Sequence, residues 1–281
     1  MGGSRRNVPK HVSIEIFNVG RTVVDRAEVR RWLDHVGADG YEVPGPDVAT
    51  DPALLIALAA KRCYMSFEPG LNPNVTRVRS DLVAYLDNIL ASGHGSVLEH
   101  AVYTFAIEGV SRVFTAEMNR HRAGWAISEG SLRFIRFDRD IPYWIPTSLT
   151  ERASDDPDLA DRKAASRAVF DATFETVEHY YAELLKIWEM DEGDKNFDYK
   201  KRVTSCLSRI VPLGVATGGV WTGNVRALRH VIALRTEPAA EEEIFHVFSR
   251  IAELMLAAEP ALFGDLERTE AGGFAPRYLK V

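Results

Sequence analysis

The sequence is poor in the groups that staple or anchor a fold. It holds only two cysteines, Cys63 and Cys206, far apart and outside any CxxC pair, so neither a zinc ribbon nor a dithiol redox motif is present. Each reads as a buried, reduced thiol of a cytosolic protein. No apolar run approaches the roughly 18 residues that a membrane-spanning helix needs. A basic excess is also missing: 34 Lys and Arg stand against 40 Asp and Glu, giving a net charge of −6. Proteins that neutralise many duplex phosphates are usually basic, so bulk nucleic-acid binding is disfavoured, although a local basic site stays open. GxGxxG, GxxxxGK[ST] and GxSxG are all absent. A Rossmann dehydrogenase, a P-loop enzyme and an α/β-hydrolase thereby lose their usual sequence support.

What is present is ordinary for a soluble globular chain: 46% apolar and 26% charged residues over 281 positions. A chain this long buries about three quarters of its unfolded surface and needs no disulfide or metal to fold. The start, MGGSRRNVPK, is basic but lacks an apolar stretch. It reads as a loose N-terminal arm over residues 1–12 rather than a secretory signal. Alternation predicts strands over 13–17, 103–107 and 131–137. Helical spacing predicts helices over 25–36, from Asp51 (as cap, with Pro52 in first position), over 80–91, 110–119 and 162–190, from about 197 to 209, and over 224–235 and 241–258. Residues 92–96 and 120–130 read as loops and 138–158 as a linker, while Pro212, Gly214, Gly218 and Gly219 break the pattern. Helices dominate and strands interleave, so the fold class is α+β: helices packed on a small antiparallel or mixed sheet, in a single domain over 1–281.

Side chains suited to catalysis and binding concentrate in three places. The first is His94-Gly-Ser96-Val-Leu-Glu99-His100. Its spacing is not HExxH and no third ligand stands at a familiar offset, so no metal site is expected. The second is Arg120-His121-Arg122 followed by Glu129-Gly-Ser131-Leu-Arg133. Three basic side chains and a flexible loop can cradle an anion, or form a solvated basic turn. If 131–137 is a strand, Ser131 and Arg133 share a face and suit a phosphomonoester. The third is Arg209, then Asn224, Arg226, His230 and Arg235. Asn224 and Arg235 are about three helical turns apart and fall on one face, and Arg226 and His230 are neighbours one turn apart. With Arg229 they give the helix a cationic side, open to anions or to pairing with surface acids.

Taken in order, SGHGSVLEHAVYTFAI, VSRVFTAEMNRHR, ISEGSLRF and SRIVPLGVATGGVWTGNVRALRHVIALR resemble the flavin-dependent thymidylate synthases, from about residue 51 to about 265. The most specific element is the family signature of Arg-His-Arg, seven or eight residues, then Ser. Here it is Arg120-His121-Arg122, eight residues, then Ser131. The H-x-S-x-x-E-H-x-x-x-x-F and N-x-R-x-L-x-x-x-x-x-L-R stretches match independently.

The resemblance implies an α+β subunit of a homotetramer in the cytoplasm, with active sites shared between subunits. It implies FAD as prosthetic group, NADPH as reductant, methylenetetrahydrofolate as carbon donor, and dUMP or UMP as the nucleotide methylated at C5, with no nucleic-acid or membrane partner. Carried over position by position, His94, Ser96, Arg120, His121, Arg122, Glu129, Asn224, Arg226 and His230 would hold FAD. Glu117, Arg120, Glu129, Ser131, Arg133, Arg209 and Arg235 would hold the nucleotide. Arg235 would be catalytic, polarising the uracil edge and favouring ionisation at N3. Such enzymes deliver hydride from reduced flavin and add no thiol to the ring, in keeping with two cysteines that lie outside the motifs. Four features depart from the family pattern: the long signature spacing, His at 230 where Asn is expected, Glu at 117 where many members have Gln, and an Arg209–Pro212 spacing one residue short. An ionised carboxylate at 117 is acceptor-only and suits a ribose hydroxyl, which points to uridylate methylases that take UMP beside dUMP.

Overall fold

The computed structural model describes residues 10–149 and 156–280. In chain order it begins with strands β1 (Lys10–His11) and β2 (Glu15–Arg21) and helix α1 (Arg26–His35). Asp25 caps α1, its carboxylate accepting from the N–H groups of Ala27 and Glu28. Helix α2 (Asp51–Tyr64) is capped by Thr50, not by Asp51 as the sequence suggests. The Thr50 hydroxyl accepts from Ala53 N at 3.3 Å, whereas Asp51 takes the Val24 N–H at 3.1 Å and pairs with Arg26. Asp81 caps α3 (Leu82–Ala91), and Gly93 follows with φ +72°, the left-handed turn a glycine tolerates. A 3₁₀ turn over Gly95–His100 leads into β3 (Val102–Ser111), α4 (Arg112–Met118), β4 (Trp125–Glu129) and β5 (Pro142–Tyr143). Helix α5 (Pro157–Ile187) starts earlier than its periodicity indicates, because Asp156 caps it and Pro157 fits the first turn. Then come α6 (Phe197–Leu207), β6 (Ala216–Asn224), α7 (Val225–Arg235), α8 (Glu242–Ala258), α9 (Pro260–Phe263), β7 (Leu266–Arg268) and β8 (Phe274–Pro276).

Strands β2-β3-β6-β4 form one sheet in that order, β1 pairs with β5 in parallel, and β7 with β8 antiparallel. The fold is α+β, as expected. Of the expected arm over 1–12, residues 1–9 lie outside the described residues, while Lys10 and His11 are paired with Pro142 and Tyr143. Part of the expected linker, 150–155, also lies outside them.

Further expectations are corrected. The loop expected over 120–130 contains strand β4 (Trp125–Glu129). Residues 131–137 are not a strand: the N–H groups of Phe134 and Ile135 both return to Ser131 O, at 3.0 and 3.1 Å, and form a turn. Their apolar alternation comes from Leu132 and Phe137 packing on a core, not from a pleat. The glycines at 218 and 219 do not break the pattern but lie inside β6. At Gly218 the Glu108 carboxylate lies in the space a Cβ would take, so a larger residue there would have to push that exposed side chain aside. Finally, Cys63 and Cys206 are exposed rather than buried, on α2 and α6.

The described chain forms two compact units. One comprises the described residues of 1–15, 107–120 and 128–220. Its core gathers Phe137, Tyr143, Phe174, Tyr181, Leu185 and Val203, with the Tyr143 and Phe174 rings stacked 4.3 Å apart. The other comprises the described residues of 16–106, 121–127 and 221–281. There α2 packs on α3 and on the 3₁₀ turn, and α7 packs on α8, β8 and the same turn.

Arg229 is the reverse of the surface cation that the helix pattern suggests. It is 1% exposed and forks onto Asp265 at 2.6 and 2.7 Å, and it also donates to Leu262 O at 2.7 Å. Removing one partner strands the other charge in the interior. Asp265→Ala is expected to cost about 3–5 kcal/mol of unfolding free energy, read from the urea midpoint. Arg229→Met with Asp265→Leu is expected to recover most of that loss, and equal losses in both variants would show that packing, not charge, is at stake.

Candidate functional site

In the second unit the 3₁₀ turn, the His121–Ile127 segment and α7 are drawn together. Asn224 is the N-cap of α7: its Oδ1 accepts from Ala227 N at 2.8 Å. The Asn224 side chain is thereby committed to the first turn of its own helix. Gly124, with φ +76°, lies against Asn224, whose N–H donates to Gly124 O at 3.0 Å. A Cβ at Gly124 would sit 2.7 Å from the Asn224 amide nitrogen. Arg226 and His230 stay exposed, one turn apart. The Arg226 guanidinium lies over Gly95, where a Cβ would come within 3.0 Å of Nε, and pairs with Glu99 at 2.5 Å. At the other end of α7, Arg235 Nε donates to His121 Nε2 at 2.8 Å. The rings of His121 and His230 stand 6.3 Å apart. Thus residues separated by a hundred positions or more converge, most of them drawn from the sequence motifs.

His94 lines a cavity of about 630 Å³ together with Lys61, Tyr64, Ser66, Arg77 and Arg79. Ser96 is exposed one residue into the turn. Lys61 is the unexpected member. It is 3% exposed, its amine donates to Ser66 O and Arg79 O, and it lies over the Tyr85 ring at 4.4 Å. Burial holds the Lys61 ammonium below its usual range. Burial, with Tyr85 adding, pushes the nearby Tyr41 phenol up to about 12. Nothing in the α2 sequence marks Lys61, because one lysine in an apolar helix reads as a snorkelling surface residue.

In the first unit, Glu117 accepts from Arg120 Nη1 through both oxygens, at 3.0 and 3.2 Å. Arg120 is exposed, and Glu117 and Glu129 are half-buried; Arg122, which belongs to the second unit, is exposed too. Ser131 opens the turn, its hydroxyl accepting from Arg133 N at 3.3 Å, so Ser131 and Arg133 meet through the backbone and not through a shared strand face. Ser208 Oγ donates to Leu132 O at 2.7 Å and ties the 3₁₀ turn carrying Arg209 to this loop. The exposed Arg209 donates to the Ser205 carbonyl.

The residue the motif search missed here is Arg112. It is 8% exposed, donates to Gly130 O and lies 3.6 Å from the Glu129 carboxylate. Burial lowers its pKa, which Glu129 partly offsets. It braces the corner that presents Ser131. Its position inside the VSRVF stretch was the available signal. Among the described residues no group of three His, Cys, Asp or Glu is placed to hold a metal ion, and no helix is long and apolar enough to cross a membrane.

Known proteins resemble this chain over most of its length. The family model described as thymidylate synthase complementing protein matches residues 47–261. A flavin-dependent thymidylate synthase of Corynebacterium diphtheriae is 31% identical over 221 residues, covering 78% of this chain and 81% of the relative. One from Mycolicibacterium gilvum is 32% identical over 231 residues, covering 80% and 85%. Among solved structures, the UMP/dUMP methylase PolB from Streptomyces cacaoi bound with 5-Br UMP shares the fold. Its TM-score is 0.59 at 17% identity, over 92% of this chain and 95% of that one. Sequence motifs, their convergence around α7 and these matches lead to one assignment: the chain belongs to the flavin-dependent thymidylate synthase family.

Proposed function

We propose that this chain is an FAD-dependent methyltransferase that reductively methylates C5 of a uridine monophosphate. Methylenetetrahydrofolate is the carbon donor, NADPH the reductant, and the enzyme a cytoplasmic homotetramer. The observation that carries the reading is the convergence of three distant motifs on α7, through Arg226–Glu99, Asn224–Gly124 and Arg235–His121. Bound FAD supplies the reducing equivalents for the transfer.

The residues present fit such a group. The cavity beside His94 has a volume in the range of ligand pockets and is lined by Lys61, Arg77 and Arg79, cations that suit a pyrophosphate, and by Tyr64 and Tyr85, whose flat faces suit a ring. His94, Ser96, Arg120, His121, Arg122, Glu129, Asn224, Arg226 and His230 would hold it. Arg226 is pre-aligned for an anion: it lies over a glycine, paired with a half-exposed Glu99 whose pull in water is weak.

Uridylate chemistry follows from the other side chains. C5 of uracil is a poor nucleophile until charge is pushed into the ring. The Arg235 guanidinium at the uracil carbonyls would favour loss of the N3 proton and stabilise the charge that develops as C5 attacks. Ser131, Arg133 and Arg209 would take the phosphate, with Arg120 exchanging its Glu117 partner for it. Glu129 and Glu117 would then face the sugar and base as acceptors. We propose that Glu117, acceptor-only when ionised, receives a ribose hydroxyl and admits UMP beside dUMP.

Three measurements test this reading. Arg235→Ala is expected to lower kcat about 10²–10³-fold, the loss typical of a group that meets charge developing in the transition state, with flavin content unchanged. Unaltered turnover would remove Arg235 from the chemistry. Ser131→Ala is expected to raise the uridylate KM about tenfold, the cost of one hydrogen bond to a charged group, with kcat little changed. Lost turnover with intact binding would contradict its role as a ligand. Tritium release from 5-tritiated dUMP and UMP is expected to give kcat/KM values within about a thousandfold of each other, and a wider preference for dUMP would end the UMP assignment.

A further inference from the structure

The contact between His121 and Arg235 has a chemical direction. Arg235 Nε carries a hydrogen and can only donate, so His121 Nε2 accepts at 2.8 Å. The imidazole is therefore neutral, with its proton on Nδ1, although two arginines flank it in the chain. A histidine in that state is neither a cation for an anionic ligand nor, through Nε2, a proton acceptor for anything else.

The partner of this bond is the last residue of α7, and its backbone is fixed independently. The next residue, Thr236, is 1% exposed. Its hydroxyl donates to Ile232 O at 2.8 Å or Phe274 O at 3.0 Å and accepts from Phe274 N at 2.8 Å, which ties the end of α7 to β8. With the backbone anchored, the bond at Nε acts on the plane of the guanidinium. A guanidinium is a rigid fork, so an acceptor at Nε fixes the direction of the parallel Nη1 and Nη2 donors. That pair is the edge a planar imide with two carbonyls would meet.

We infer that His121 is a positioning residue for Arg235, a structural role in the reaction distinct from holding flavin through Nε2. The inference rests on the uridylate-methylation reading above and deepens it: the neutral imidazole aims the guanidinium at the substrate ring. A group displaced by about 1 Å from its productive placement loses rate far out of proportion to its binding. The effect of losing His121 is therefore expected in kcat, and only where Arg235 has an Nε–H to aim.

The test uses the purified holoenzyme with four changes. His121→Phe keeps a ring without an acceptor, and His121→Ala replaces it should the phenylalanine variant not fold. His121→Gln restores a carbonyl acceptor. Arg235→Lys keeps the cation and removes Nε–H. The double variant His121→Phe with Arg235→Lys completes the cycle. Turnover by tritium release, uridylate KM, dUMP affinity of the oxidised enzyme and flavin per subunit are measured for each. His121→Phe is expected to lower kcat about tenfold with flavin retained, and His121→Gln to recover it to within about threefold. In the Arg235→Lys background, His121→Phe is expected to cost less than about twofold. Multiplying losses, no rescue by glutamine, or flavin lost in step with turnover would overturn the proposal. If the wild-type enzyme releases no tritium from either nucleotide, the reaction assignment falls, and the same cycle read in dUMP affinity decides the pairing. Coupling there supports it, and its absence overturns it.

Discussion

The rotation of α7 about its own axis is the constraint on which the candidate site depends, and the buried Arg229–Asp265 pair sets it. Successive residues of a helix turn by about 100°. Once Arg229 points into the interior, the directions of Arg226, His230 and Arg235 are decided. Turning the helix would take a guanidinium out of a two-bond fork and leave an uncompensated charge inside, a far larger cost than any surface contact could offset. The same helix is fixed at its start by Asn224 against Gly124 and at its end by Thr236 against Phe274. Both ends and the rotation are held before any ligand arrives, which is the preorganisation that charge-stabilising sites require.

Much of the helical framework was legible because helix starts carry local chemistry. Asp25, Asp81 and Asn196 each accept from their own first turn, and each sits where the apolar periodicity begins. What could not be read were features decided by partners distant in sequence. Gly218 and Gly219 look like a break but lie within β6, where the Glu108 carboxylate occupies the space beside Gly218. Gly223 similarly gives way to the Trp125 ring, where a Cβ would come within 2.8 Å. Residues 131–137 alternate as a strand does, yet Ser131 turns the chain back on itself, because a serine hydroxyl offers its neighbours' N–H groups a local partner.

The site divides along the same line. Its motif residues were visible as a set, because chemistry needs specific side chains at specific spacings. The residues that hold them in place were not. Arg112 and Ser208 act through the backbone carbonyls of Gly130 and Leu132, contacts that leave no trace in composition. Lys61 is hidden for the opposite reason: its surroundings are apolar, so the sequence around it describes a core and gives no hint of a cavity. Cys63 and Cys206 were misjudged because cysteine is on average a buried residue, while the helical period of α2 and α6 places these two outward.

Exposure sorts the arginines of this acidic protein into two classes with different uses. Arg112 and Arg229 are buried, and their acidic partners and carbonyls are part of the fold. They are not available to a ligand, since releasing them would leave charge stranded. Arg120 and Arg226 are also paired, with Glu117 and Glu99, but on the surface, where an ion pair contributes about 0–1 kcal/mol. A phosphate, which accepts two parallel bonds from a guanidinium, can displace such a carboxylate at little cost. Surface pairs of this kind hold a guanidinium loosely, unlike the buried ones. Arg235, half-buried at the end of α7, donates through Nε to the His121 imidazole, a contact that bears on the direction of its guanidinium and comes from a neighbour without a carboxylate.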